Sequence, residues 1–207
     1  MANVMPVTIV NVGYRSTNYW VVSAGSSRLL VDIGWPGTLG TLKANLKRMG
    51  IPLHELRCAL ATHYHIDHAG LAEELKREGV PLLVLEGQAG ALSEMKAWTK
   101  PADHYVEITD EGNLSLTFAR SREFLRAMGI AGEILPTPGH SGHCVSLLLD
   151  DGSVFTGDLP PGGYAADNPE VLASWGLLRA RGATRVHPGH GPIREIGAMA
   201  GALDAPG

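Results

Sequence analysis

The hexapeptide His63-Tyr64-His65-Ile66-Asp67-His68 places four metal-ligand side chains in six positions. If residues 62–67 run extended, alternate side chains share a face, so His63, His65 and Asp67 converge and a following turn swings His68 back to the same point. Imidazole nitrogens with a carboxylate suit zinc, iron or manganese, and three protein ligands per ion leave a position open for water. A patch of surface histidines is the alternative, and the order of residue types argues against it. Further along, His140 in Pro138-Gly139-His140, Asp158 in Thr156-Gly157-Asp158 and His190 in Pro188-Gly189-His190-Gly191 repeat the theme of a ligand-type residue on a tight loop.

Strands and helices must carry these loops to one place. Val7 to Val12, Asn18 to Ala24 and Arg28 to Ile33 are short apolar or β-branched runs separated by Gly13 and by Ala24-Gly25-Ser26-Ser27, the pattern of an antiparallel meander. Asp32 closes the third run. A carboxylate at the end of a buried strand is costly unless compensated, so Asp32 is read as the group that orients a ligand histidine, with a loop cap as the alternative. Thr38 to Met49 has helical spacing of Leu39, Leu42 and Leu46, and Leu56 to Thr62 is a buried strand that delivers the histidine hexapeptide at its C-terminal end.

Ala69 to Glu78 reads as one helix, Pro81 to Leu85 as a strand, and Gln88 to Trp98 as a short helix. Ser121 to Met128 follows as a helix and Glu133 to Thr137 as an edge strand. Val145 to Leu149 and Ser153 to Thr156 flank the turn Asp150-Asp151-Gly152 and form a hairpin that exits at Gly157-Asp158. Asn168 and Pro169 start a helix through Arg181, then Thr184 to Val186 is a strand leading to His190, and residues 193–207 hold one terminal helix at most. Both halves share a rhythm of meander, helix, strand and ligand-bearing loop, and four strand ends finishing in ligand-type residues make a shared site the expectation.

The 207 residues suit one α/β domain spanning residues 1–207. A formal net charge of −4 with no run of Lys or Arg argues against nucleic acid as a partner. No apolar run approaches the ~18 residues of a membrane span. The N-terminus shows no signal-peptide pattern, and Cys58 and Cys144 are too few for a disulfide framework, so a cytoplasmic protein with reduced thiols is expected. Cys144, four residues after His140, is read as a small buried residue ahead of a redox or ligand role.

Taken together, His63-x-His65-x-Asp67-His68, His140, Asp158 in Thr-Gly-Asp and His190 in Pro-Gly-His-Gly resemble the metallo-β-lactamase fold superfamily, over nearly the whole chain. The resemblance implies a four-layer αβ/βα sandwich with metals at the edge between two sheets. It implies that His63, His65 and His140 hold one ion, that Asp67, His68 and His190 hold a second, and that Asp158 bridges both through a shared carboxylate oxygen. His187 and His143 compete for the roles of His190 and His140, and glycine on each side of His190 favours the latter. Two divalent ions are expected, zinc first, with iron or manganese as alternatives.

Such a site predicts a hydrolase that uses a metal-bridging hydroxide on a small ester, lactone or thioester, with a β-lactam within the same chemistry. Asp67, Asp158 and Tyr164 are the candidate catalytic side chains, and Tyr64 a further candidate for touching a substrate oxygen. A short chain without an extra C-terminal helical region argues against a glyoxalase II-like enzyme, and the lack of a basic arm or extra domain counts against a phosphodiesterase. An iron-dependent redox enzyme similar to persulfide dioxygenases is the competing class. The expected partner is a small-molecule substrate, with neither nucleic acid nor membrane.

Overall fold

Strands whose side chains are buried on both faces appear in sequence as continuous apolar runs, and here they stack into two facing sheets. The computed structural model describes residues 6–164 and 167–200, excluding the side chains of Trp98, Tyr164 and Ala200. In the first half, β1 (Thr8–Asn11), β2 (Trp20–Ala24) and β3 (Ser27–Val31) form the expected meander. Helix α1 (Leu39–Arg48) returns the chain to β4 (Leu56–Leu60), parallel to β3 with Val31 opposite Leu60. After α2 (Ile66–Ala69) and α3 (Ala72–Arg77) come β5 (Leu82–Leu85), α4 (Ala91–Glu94), β6 (Leu114–Leu116) and α5 (Phe118–Ala127).

The second half repeats the plan. β7 (Gly132–Pro136), β8 (Val145–Leu149) and β9 (Ser153–Gly157) are a meander, and α6 (Pro169–Ala180) crosses over to β10 (Arg185–Pro188), parallel to β9. β11 (Arg194–Glu195) and α7 (Ile196–Ala200) follow. Among the described residues the sheet orders are β1-β2-β3-β4-β5-β6 and β11-β10-β9-β8-β7.

Alternation along each strand builds the layers. Leu29 and Val31 of β3, Leu60 of β4, Leu147 of β8 and Phe155 of β9 point into the space between the sheets. Their neighbours point the other way: Leu30 and Ala59 meet Leu42 and Leu46 of α1, whereas Leu148 and Val154 meet Val171, Trp175 and Leu178 of α6. The result is the four-layer αβ/βα sandwich.

Several elements depart from expectation. The helix expected over Ala69 to Glu78 is two, because the Leu71 amide leaves the helix to donate to the Gly34 carbonyl at 3.1 Å. The helix around Gln88 to Trp98 is α4 followed by a 3-10 turn, Met95–Trp98. Helix α5 starts at Phe118 rather than Ser121, where the Glu86 carboxylate accepts the Phe118 amide at 2.9 Å. β6 and β11 are too short to show a period in sequence. No helix among the described residues is long and apolar enough to cross a membrane.

His187 belongs to this core. It lies between the sheets, 3% exposed, edge-on to Trp20 at 4.9 Å and stacked on Phe155 at 4.7 Å, and neither ring nitrogen has a hydrogen-bond partner. Burial, helped by the Arg185 charge, lowers its pKa from 6.5 to about 4. Because the folded-state pKa lies below the unfolded value, its neutral form stabilises fully above pH 6.5, and that stability is lost as pH falls towards 4. The chain should therefore lose about 2 kcal/mol between pH 7.5 and 4.5 through this ring. His187→Leu should flatten the fall in urea midpoint over that range; a fall as steep as in the parent would show that the ring is not the acid-sensitive element.

Candidate metal centre

The site begins with the ends of two parallel strands. β3 and β4 stop side by side, and the first residue beyond β3, Asp32, is 1% exposed with φ 61°, a left-handed conformation that Asp tolerates better than most side chains. Its carboxylate is saturated. Oδ1 accepts the Thr62 amide and the Thr62 hydroxyl, both at 2.8 Å, and Oδ2 lies 2.9 Å from His68 Nδ1. Asp32 therefore holds a histidine of the hexapeptide directly, as its position at a strand end suggested.

Three rings are oriented from behind. With the Thr62 hydroxyl donating to Asp32, its oxygen is left to accept from His63 Nδ1 at 3.2 Å, and His190 Nδ1 donates to the Ser16 carbonyl at 2.8 Å. This network places a proton on Nδ1 of His63, His68 and His190 and turns each Nε2 forward. His65 and His140 face each other through Nδ1 and Nε2 at 3.0 Å.

The extended run proposed for residues 62–67 ends early. His65 is the extended residue preceding α2, so His63 and His65 converge by strand alternation, whereas Asp67 and His68 are presented by the first helical turn. The convergence survives, but Asp67 joins His68 and His190 rather than His63 and His65.

The second sheet brings the rest. His140 sits on the β7–β8 connection, Asp158 directly follows β9 and His190 follows β10, while the Val145 amide donates to the Thr62 carbonyl and the Asn18 amide to the Gly189 carbonyl, joining the two sheet edges. Two glycines permit the close approach. A Cβ on Gly157 would collide with the Thr62 hydroxyl, and one on Gly189 would lie 2.5 Å from Asp158 Oδ1 and 2.6 Å from His68 Cε1.

All seven residues singled out from the sequence meet in three overlapping groups: His63, His65, His140; His63, His68, Asp158; and Asp67, His68, His190. His68 Nε2 is 3.4 Å from Asp67 Oδ2 and 3.3 Å from Asp158 Oδ1, and His190 Nε2 is 3.2 and 3.4 Å from the same atoms. Donors bound tetrahedrally to a zinc-sized ion at about 2.0–2.1 Å would be about 3.3 Å apart. Asp158 Oδ2 faces the other set, 3.9 Å from His63 Nε2 and 3.8 Å from His140 Nε2, so this carboxylate lies between the two groups.

His63 Nε2, His68 Nε2 and Asp158 Oδ1 are buried without a hydrogen-bond partner, a costly arrangement that a cation between them would satisfy. The donor set fits divalent metal ions. Burial and the neighbouring rings hold His63 well below its ordinary pKa. For His68, burial acts downwards, but Asp32 and Asp158 outweigh it and raise the ring well above 6.5. Asp158 is lowered: burial alone would raise it, and the His68, His190 and His140 rings reverse that.

Tyr64 and Cys144 fall outside the cluster. The Tyr64 ring is buried in the core with its hydroxyl unpartnered, and its backbone amide donates to His143 Nε2 at 3.3 Å. The catalytic candidate Tyr164 has its side chain outside the described residues. Cys144 is buried and its Sγ contacts the Ser141 amide and hydroxyl. Sequence reasoning missed Thr62, whose place directly before His63 was its only signal, and Thr17, whose hydroxyl donates to Asp67 Oδ2 at 2.9 Å across fifty positions and left none.

Residues 12–190 match the profile of the metallo-beta-lactamase superfamily. A probable metallo-hydrolase of Methanocaldococcus jannaschii is 25% identical over 196 residues, covering 88% of this chain and 91% of that protein. An atrochrysone carboxyl ACP thioesterase of Aspergillus fumigatus is 28% identical over 192 residues, covering 87% of this chain and 52% of that protein. A Caenorhabditis elegans beta-lactamase-like protein 2 homolog is 24% identical over 183 residues, covering 86% of this chain and 57% of its own length, so the chain spans little more than half of some relatives. Among solved structures, TTHA1623 in a di-iron-bound form superposes with a TM-score of 0.69 at 27% identity, covering 94% of this chain and 97% of that one. The FEZ-1 metallo-beta-lactamase from Legionella gormanii shares the fold, with a TM-score of 0.69 at 19% identity, covering 92% of this chain and 81% of that one.

Asp32→Asn would set amide hydrogens against donors at Thr62 and His68. It should weaken metal binding about 10- to 100-fold, the usual effect of removing a group that orients a ligand. Competition with a chromophoric chelator measures this; unchanged affinity would remove Asp32 from the organisation of the site.

Proposed function

The chain belongs to the metallo-beta-lactamase superfamily, and from that premise we propose that it is a dinuclear metal-dependent hydrolase of small esters or thioesters. One observation carries the proposal most: two sets of side chains, His63, His65, His140 and Asp67, His68, His190, share one carboxylate that turns Oδ2 to the first and Oδ1 to the second. Each set would hold one divalent ion. When bound, the ions would supply an acidified water as nucleophile and a Lewis-acid contact for a carbonyl oxygen.

The protein's own groups do the rest. Asp32, Thr62 and the Ser16 carbonyl engage the Nδ1 atoms of His68, His63 and His190, so their Nε2 atoms are aimed at the centre, where a bound ion would take the place of the Nε2 proton on His68. Thr17 engages Asp67 Oδ2, which leaves Asp67 Oδ1 to take the proton of an attacking water and return it to the leaving oxygen or sulfur. His140, Asp158 and His190 form one end of an open cleft of about 480 Å³ whose walls include Leu159, Pro160, Pro161 and Met199. Such walls suit the apolar part of an acyl substrate.

The thioesterase among the relatives supports acyl chemistry, and the di-iron-bound form of TTHA1623 supports a second reading, an iron-dependent redox enzyme on the same side chains. Elemental analysis with an oxygen electrode distinguishes them: zinc with ester or thioester turnover is expected, whereas iron with oxygen consumption and no hydrolysis would replace the hydrolase. Chelation should abolish turnover and added metal restore it. Asp158→Ala should retain fewer ions than the parent and lose at least about 100-fold in kcat/KM, given that it serves both groups; full activity in the metal-stripped protein would overturn the proposal.

A further inference from the structure

Resting on the hydrolase assignment above, we propose that Arg194 determines specificity by binding an anionic group on the substrate, so that the preferred ester or thioester carries a carboxylate at the far end of its acyl part. Arg194 lines the same cleft as His140, Asp158 and His190 and brings a positive charge to walls otherwise formed by residues such as Leu159 and Pro160. Many cations of this fold already hold carboxylates, for example Arg28 with Glu55 at 2.7 Å and Arg181 with Glu133 at 2.8 Å. Arg194 holds none among the described residues, and the adjacent acid, Glu195, faces Arg185 at 4.0 Å.

The guanidinium also has a fixed base. Arg194 pairs with Val186 of β10 across the β10–β11 ladder, and the Ile196 amide donates to the Thr184 carbonyl at 2.8 Å. Strand alternation then puts Glu195 on one face and Arg194 on the cleft side. A planar fork with several N–H donors reads a carboxylate through two parallel hydrogen bonds, which a surface lysine would not reproduce.

The test uses the metal-loaded protein and two esters that differ only in charge, mono(4-nitrophenyl) adipate and its methyl ester. The parent should turn over the free acid about 10- to 100-fold better in kcat/KM, mostly through KM, as expected for one charge-assisted contact. Arg194→Met should lose that preference while hydrolysing the methyl ester as the parent does, and Arg194→Lys should retain part of it. Equal turnover of both esters by the parent, or an equal fall on both in Arg194→Met, overturns the proposal. So does loss of the preference in Arg15→Met but not in Arg194→Met, since Arg15 directly precedes Ser16, whose carbonyl accepts from His190, and that result would move the anion to this loop. If neither ester is hydrolysed, the hydrolase assignment fails separately, and calorimetry decides: monomethyl adipate should bind the parent at least about tenfold more tightly than dimethyl adipate, and equal affinities overturn the role of Arg194.

Discussion

The buried carboxylate of Asp32 is the constraint around which the rest is arranged. At 1% exposure a charge is tolerated only when its lone pairs are used, and here the Thr62 amide, the Thr62 hydroxyl and the His68 ring use them. Meeting that demand also orders the site. One carboxylate aligns His68 directly and His63 through Thr62, so the energy that keeps Asp32 buried is the same energy that points two imidazoles at a common centre.

The chain builds the surrounding frame twice. β1 to β3, α1 and β4 form one unit, and β7 to β9, α6 and β10 another, each with its last two strands parallel. Parallel neighbours end on the same edge, so Asp32 emerges beside the hexapeptide in the first unit and Asp158 beside His190 in the second. Facing the two units across a shared apolar layer brings both pairs of strand ends to one rim. Hydrogen bonds from Val145 to Thr62 and from Asn18 to Gly189 fix the two rims to each other, and glycine at 157 and 189 lets them close to contact.

Histidine shows how environment rather than residue type assigns a role. His187 and His190 are three positions apart, yet one is wedged between Trp20 and Phe155 with no polar partner and the other faces two carboxylates. The strand end makes the difference: His187, within β10, faces the inter-sheet layer, and His190, beyond its end, faces the rim. Arg194 follows the same logic at the next element, where a two-residue strand sends its acid towards Arg185 and its cation into the cleft.

By itself the sequence determined which residue types could do the chemistry and that they stood at the ends of buried strands. Spacing and order singled out His63, His65, Asp67, His68, His140, Asp158 and His190, because ligand-type residues on tight loops are a local feature, as are the apolar runs that make the strands. Alternation and capping gave most elements, including the α6 start at Asn168, whose side chain accepts the Glu170 and Val171 amides. Only the tertiary structure decided that Asp67 arrives on a helical turn and that Asp158 turns one oxygen to each group. It also brought Thr17 to Asp67 and Ser16 to His190, and left Arg194 unpaired in the cleft among the described residues. The physical reason is distance along the chain. A hydrogen bond between residues fifty or more positions apart depends on how two sheets meet, and no local pattern of residue types encodes that meeting.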